Sequence, residues 1–159
     1  MRKKEIRPLY REKRAAITAS AKNKLEDLML IGFQKLQLSI PGTIMTYAAF
    51  EDEFDPHLIT DYCRFRNPAS QFLYPVMNKE TDNLLAIATD DDTEFIRNTF
   101  GIYEPAAGHE IQPEDIDLLI VPLLAFDNRG YRVGYGKGYY DKFLVHCRKD
   151  AFKVGFSFF

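Results

Sequence analysis

The sequence predicts an α/β domain, a largely parallel sheet with helices on both faces. Apolar runs of strand length (Thr43–Ala49, Gln71–Met77, Leu84–Ala88 and Ile116–Ala125) alternate with segments of helical spacing. The last run is apolar at nearly every position, as a strand buried on both faces requires. It leads into Gly130-Tyr-Arg-Val-Gly-Tyr-Gly-Lys-Gly-Tyr-Tyr-Asp141, which has four glycines in nine residues. Tyr140, Phe143, Leu144 and Cys147 then recur at helical spacing. A ligand in such a sheet lies beyond the carboxyl ends of the strands, near the loop around Glu53 and the loop from Gly134 to Asp141.

The elements follow in order. Lys3, Arg7, Arg11 and Arg14 are spaced to share one face of a basic helix, with Ile6, Tyr10 and Ile17 beside them. Pro8 belongs in a first turn, so a regular helix starts near it with Lys3 on a flexible lead, or the helix kinks there. Thr18-Ala-Ser20 caps a second helix that runs to about Leu38, with Leu25 to Phe33 well buried. Pro41-Gly42 breaks it before the first strand. Phe50 to Pro56 forms an acidic loop, and a short helix follows from Asp55-Pro56 through Phe65. Two strands flank the polar turn from Asn78 to Asn83. Asp90 to Glu94 reads as an exposed loop and helix start. Ala151 to Phe159 reads as a final strand.

Strand, glycine loop and helix start form a cradle in which backbone N–H groups converge on an anion. The loop is not the phosphate loop G-x-x-x-x-G-K-[ST], because Tyr139 follows Gly138. It also fails the dinucleotide pattern G-x-G-x-x-G, which needs glycine at Tyr139. A tight turn alone would account for the glycines. The surrounding chemistry says more: Arg132 and Lys137 are cations, Asp141 is a carboxylate, and two tyrosines offer flat faces. These are the parts of a nucleoside-triphosphate site with a divalent metal.

Val121 to Asp141 resembles the signature of the 5-formyltetrahydrofolate cyclo-ligase (methenyltetrahydrofolate synthetase) family, and weaker echoes cover most of the rest. The resemblance implies a three-layer α/β/α Rossmann-like sandwich, shared with sugar-phosphate isomerases and CoA transferases. It implies ATP-dependent cyclisation of 5-formyltetrahydrofolate to 5,10-methenyltetrahydrofolate through a phosphorylated formyl group (an iminium phosphate), releasing ADP and phosphate. ATP is then a co-substrate, Mg2+ the cofactor, and folate, polyglutamylated forms included, the partner. By the same resemblance, Lys3, Arg7 and the stretch Arg132, Val133, Gly134, Tyr135, Gly136, Lys137, Gly138, Tyr139 and Tyr140 bind ATP. Lys137 and Arg132 carry the catalytic charge. Ala48, Glu53, Tyr103, Tyr135, Gly136, Lys137, Gly138 and Tyr139 contact the folate, and Asp141 holds the metal. A carboxylate at Glu53 suits the row of N–H donors on a pterin. Phe50 could pack against the same ring or plug the core. Family members usually continue past the position of Phe159 with an aspartate that is a second magnesium ligand, so residues 1–159 read as a single domain lacking that segment.

Composition narrows the remaining classes. A chain of 159 residues suits one domain with a real core. No apolar run approaches the roughly 20 residues of a membrane span, and the basic N-terminus lacks the apolar stretch of a secretory signal, which reads as a cytoplasmic, monomeric protein without a membrane partner. Cys63 and Cys147 have neither metal nor disulfide spacing and read as core residues. His57, His109 and His146 share no pattern. Nine Lys/Arg face two Glu up to Lys24, and twelve face twenty-one acidic residues beyond it. A basic arm on an acidic body suits a polyanionic small molecule better than nucleic acid, because the body would repel a phosphate backbone. A nucleotide- or folate-binding chain without turnover, an isomerase-like enzyme and a basic-arm nucleic-acid binder are the alternatives.

Overall fold

The computed structural model describes residues 2–159. Its elements are α1 (Lys3–Ala15), α2 (Ala19–Lys35), β1 (Thr43–Met45), α3 (His57–Arg66), β2 (Gln71–Asn78), β3 (Asn83–Thr89), β4 (Phe95–Arg97), β5 (Tyr103–Pro105), β6 (Glu110–Ile111), β7 (Leu118–Val121), β8 (Ala125–Phe126), β9 (Arg132–Val133), α4 (Tyr139–Leu144) and β10 (Phe152–Gly155). The central sheet has the order β10-β7-β1-β2-β3-β6. Strands β10, β7, β1 and β2 run parallel, while β3 turns back antiparallel on β2 and β6 on β3.

Successive side chains of a strand point to opposite faces, so the apolar runs fill two cores at once. Ile44, Leu118 and Ile120 meet Phe33 of α2 and Ile59 and Cys63 of α3 on one face. Met45, Leu119 and Val121 meet Phe143 of α4 and Cys147 on the other. That is the expected three-layer arrangement. Both cysteines are free and buried, and burial pushes the Cys63 thiol up to about 11. The chain leaves β1 toward β2 on one side and β7 toward β10 on the other. The crevice beyond β1 and β7 is therefore the topological switch point at which ligands bind.

Several boundaries differ from the expected ones for local reasons. The apolar run Ile116–Ala125 is not one strand. Pro122 cannot donate to the ladder, so β7 stops at Val121 and β8 pairs with β9 in a separate ribbon. No helix follows Asp90; Thr93 and Asp90 close a turn, and β4 pairs with β5. In α1 the helix begins at Lys3 and continues through Pro8, with the Arg2 N–H capped by the Glu5 carboxylate at 2.9 Å. Thr18 caps α2 as expected, accepting from Ala21 N–H at 3.2 Å. The middle of α2 is less buried than its composition suggests: Glu26 and Phe33 are covered, whereas Leu28 is 61% and Ile31 46% exposed. Past β10 the chain is irregular. Phe156 stacks on Phe54 with ring centroids 4.6 Å apart, and Phe158 joins the same core. Among the described residues, no helix is long and apolar enough to cross a membrane.

Candidate active site

A cavity of about 400 Å3 opens at the switch point. One wall is cationic. Helix α1 lies against β9 and the glycine loop, and its basic stripe faces inward. Arg7 donates through Nε to the Gly134 carbonyl at 3.0 Å, while Lys3 and Arg11 line the same space. Arg14, the last cation of the stripe, is buried. It donates to Asp52 Oδ1 at 2.9 Å and to the Tyr135 hydroxyl at 2.6 Å. A pair buried this well fixes α1 on the loop, whereas an exposed pair would contribute little.

The glycine loop needs its glycines here. Gly136 has φ of 101°, and a Cβ on it would come within 3.1 Å of the Arg7 guanidinium carbon. Gly138 takes the left-handed conformation, φ 74°, as the N-cap of α4, a position costly for other residues. Helix α4 is only six residues long. The positive character of this wall therefore comes from side-chain cations and loop N–H groups more than from a helix dipole. Lys137 Nζ sits 3.4 Å from the centre of the Phe100 ring, so it joins the loop to the β4–β5 hairpin. Arg132 pairs with Asp141 at 2.6 Å.

A second part of the lining carries a carboxylate in an apolar frame. Glu53 is buried and accepts from the Phe50 N–H at 2.9 Å. Burial raises its carboxyl above the ordinary range. The Phe50 N–H, a hydrogen bond from the Tyr135 hydroxyl and the Arg14 charge pull in the opposite direction. Burial and the Glu53 carboxylate in turn push the Tyr135 phenol well above its usual value. Pro75 and Met77 of β2, Leu84 of β3 and Pro122 complete this wall with Phe100 and Ile102. Glu104 accepts from Met77 N–H at 3.3 Å and from the Asn98 amide at 3.2 Å, pinning the β4–β5 hairpin onto β2.

Of the expected site residues, the cavity brings together Ala48 and Glu53 after β1, Lys3 and Arg7 from α1, and Arg132 and Gly134 to Asp141 of the loop, while Val133 and Tyr103 lie outside it. Val133 is turned into the core, and its carbonyl accepts from Leu124 N–H at 2.8 Å. Tyr103 faces a second cavity of about 350 Å3, with Tyr74, Phe95 and His57. Strand alternation explains this: Ile102 and Glu104 point into the main cavity, so Tyr103 between them points away. Sequence reasoning missed Asn98, Ile102 and Glu104. The signal available was the two-residue period of the segment from Phe100 to Pro105.

Among the described residues no three metal-ligating side chains cluster. Asp141 is an exposed carboxylate on the rim, with one oxygen on Arg132. Magnesium commonly binds through one or two carboxylates plus phosphate oxygens and water. A single aspartate beside a cationic wall fits that requirement.

The model of the 5-formyltetrahydrofolate cyclo-ligase family matches residues 1–156. A 5-formyltetrahydrofolate cyclo-ligase from Haemophilus influenzae is 28% identical over 162 aligned positions, covering 99% of this chain and 86% of that one. The cyclo-ligase of Mycoplasma genitalium is 46% identical over 50 residues, which is 31% of this chain and 30% of the other. The solution structure of a 5,10-methenyltetrahydrofolate synthetase from Aquifex aeolicus superposes with a TM-score of 0.80 at 26% identity, covering 98% of this chain and 77% of that one. A Mycoplasma pneumoniae synthetase shares the fold, with a TM-score of 0.72 and 24% identity over 98% of this chain and 84% of its own.

Proposed function

The chain belongs to the 5-formyltetrahydrofolate cyclo-ligase family, and on that premise we propose that the switch-point cavity is where it closes 5-formyltetrahydrofolate to 5,10-methenyltetrahydrofolate at the expense of ATP. One observation carries the assignment to this cavity. The cations Arg7, Arg132 and Lys137 and the buried carboxylate of Glu53 line one and the same cavity. The cations suit phosphates, and the carboxylate suits a pterin edge that offers a row of N–H donors.

The chemistry asks for little beyond positioning. A formamide oxygen is a poor leaving group, so it is first phosphorylated; N10 of the same folate then attacks the activated carbon and phosphate departs. Because ring closure is intramolecular, holding two ligands in line supplies much of the acceleration. Glu53 orients the pterin, held in place by Phe50 N–H and Tyr135. Lys137 reaches across the cavity toward Phe100, which places its charge where the nucleotide and the folate meet. Arg7 and Arg132 neutralise phosphate oxygens from the α1 side. Asp141 would hold magnesium on the phosphates. No nucleophilic side chain is needed. At about 400 Å3 the cavity accommodates the reacting ends of the two ligands, with their remaining parts outside it.

Incubation with 5-formyltetrahydrofolate tests the assignment by following the absorbance of the methenyl product with and without ATP. ATP-dependent product formation is expected. Its absence under saturating folate, ATP and magnesium would leave a binding protein without turnover. Arg7 and Arg14 are engaged inward, which favours this cavity over an external polyanion as the target of the basic helix.

A further inference from the structure

Arg14 carries the last charge of the α1 stripe, yet it is absent from the lining of the main cavity. Among the described residues it is the one buried Lys or Arg. Its guanidinium is held by two partners from distant stretches. Nε and Nη2 converge on Asp52 Oδ1 at 2.9 and 2.7 Å, and Nη1 donates to the Tyr135 hydroxyl at 2.6 Å. A cation is costly to bury unless such partners satisfy it, and a stripe that only met phosphates would require neither.

Asp52 lies within a tight turn that ends at Glu53. The Glu53 N–H donates to the Phe50 carbonyl at 3.1 Å, and the Glu53 carboxylate accepts from the Phe50 N–H at 2.9 Å. Between them Glu51 takes φ of 52°, a left-handed conformation unfavourable for a residue with a side chain. Such a turn persists where its surroundings hold it, and the Arg14–Asp52 pair holds it from outside. Tyr135 supplies a second hold: its oxygen accepts from Arg14, which leaves its proton for Glu53.

Resting on the functional reading above, we propose that Arg14 is a positioning residue for the folate, which through Asp52 and Tyr135 keeps the Glu53 carboxylate in place for the pterin. It touches neither ligand, and it sits on the helix whose other cations meet the nucleotide. The charges acting on Glu53 come from Arg14 on α1, Asp52 beside it, Tyr47 after β1, Tyr135 on the glycine loop and Tyr140 on α4. The three tyrosines are pushed up, chiefly by burial, and stay neutral. Burial raises the Glu53 carboxyl, the Arg14 charge lowers it and the Asp52 charge raises it.

Arg14→Gln and Asp52→Asn each weaken the tie with a side chain of similar size, and the Asp52 side chain is 35% exposed, so its variant is safe for folding. Binding of 5-formyltetrahydrofolate, followed by calorimetry without nucleotide, should weaken about tenfold in Arg14→Gln and about threefold in Asp52→Asn, while KM for ATP stays within about twofold. The pH at which folate affinity levels off should move up in Arg14→Gln, which loses a charge that favours the carboxylate. It should move down in Asp52→Asn, which loses one that opposes it. Loss of packing alone gives no such opposite displacements. An ATP KM that rises as much as the folate Kd would overturn the proposal and leave Arg14 with the nucleotide wall. Displacements of the same sign, or none, would overturn it too. The 13C resonance of the Glu53 carboxyl, identified by its loss in Glu53→Gln, should show the same two displacements in the free protein. A wild type without ATP-dependent turnover would instead overturn the functional reading, and the carboxyl titration would still decide whether Arg14 acts on Glu53.

Discussion

The two walls of the cavity are built differently. The cationic wall comes from two stretches, helix α1 and the loop from Arg132 to Asp141, and its parts hold one another: Arg7 on the Gly134 carbonyl, Arg14 on Tyr135, Arg132 on Asp141. The carboxylate wall gathers residues from the Ala48–Glu53 loop, β2, β3, the β4–β5 hairpin and Pro122. Phosphate is a small, highly charged target, and a contiguous run of cations and backbone N–H groups can meet it. A fused ring system needs a shaped apolar frame, and only distant segments folded together provide one. The carboxylates differ likewise. Glu53 is buried and accepts from the Phe50 backbone N–H, whereas Asp141 stands exposed at the rim, paired with Arg132.

Substitutions can break this comparison, beginning with the residue that spans both walls. Lys137→Ala should lower kcat/KM for ATP by about 10²- to 10³-fold, the usual cost of a charge aimed at the transition state. Equilibrium folate binding without nucleotide should change far less; equal losses would mean that the walls are not separate. Glu53→Gln should raise KM for 5-formyltetrahydrofolate about 10- to 100-fold, matching the roughly 1.5–3 kcal/mol of a hydrogen bond to a charged group, while KM for ATP stays put.

Glu53 also makes a pH prediction. Because its carboxyl titrates above the ordinary range, folate affinity should climb as pH rises through that raised value and then level off. The same titration acts on the free fold in the opposite sense. A raised carboxyl contributes stability below the unfolded value and loses it as pH rises through the folded one. Both trends should vanish in Glu53→Gln, and a variant that retains them would assign the titration to another group.

Asp141→Ala should be milder. It should raise the magnesium concentration for half-maximal activity by about tenfold, the size of one charge-assisted contact, and leave the melting temperature unmoved because the side chain is exposed. An unchanged magnesium dependence would remove Asp141 from the metal site. The smallest effect belongs to Tyr103→Ala, whose side chain faces the second cavity. Both KM values should stay within about twofold, in contrast to a several-fold rise in folate KM for Phe100→Ala, since a stacked aromatic contact contributes roughly 0.5–1.5 kcal/mol. A larger loss at Tyr103 than at Phe100 would extend the carboxylate wall into the second cavity.

Much of this was legible from sequence because its causes are local. The apolar runs specify strands buried on both faces, and Ile44 and Met45 fill opposite cores as period-two alternation requires. The glycine loop, its cations and Asp141 form one contiguous string whose chemistry can be read without a fold. Glu53 was singled out by the family resemblance, in a loop that lies where a parallel sheet binds its ligands. Tertiary structure decided the rest. Whether Arg14 meets water or Asp52 depends on how α1 docks, which its own periodicity cannot state. Tyr103 and Glu104 are neighbours in sequence, yet they serve different cavities because the β4–β5 hairpin lies across β2 with one face inward. Residue types determined which ligand chemistries this protein can meet. The partners of those residues, and so the shape of the apolar wall, were decided by contacts between segments far apart in the chain.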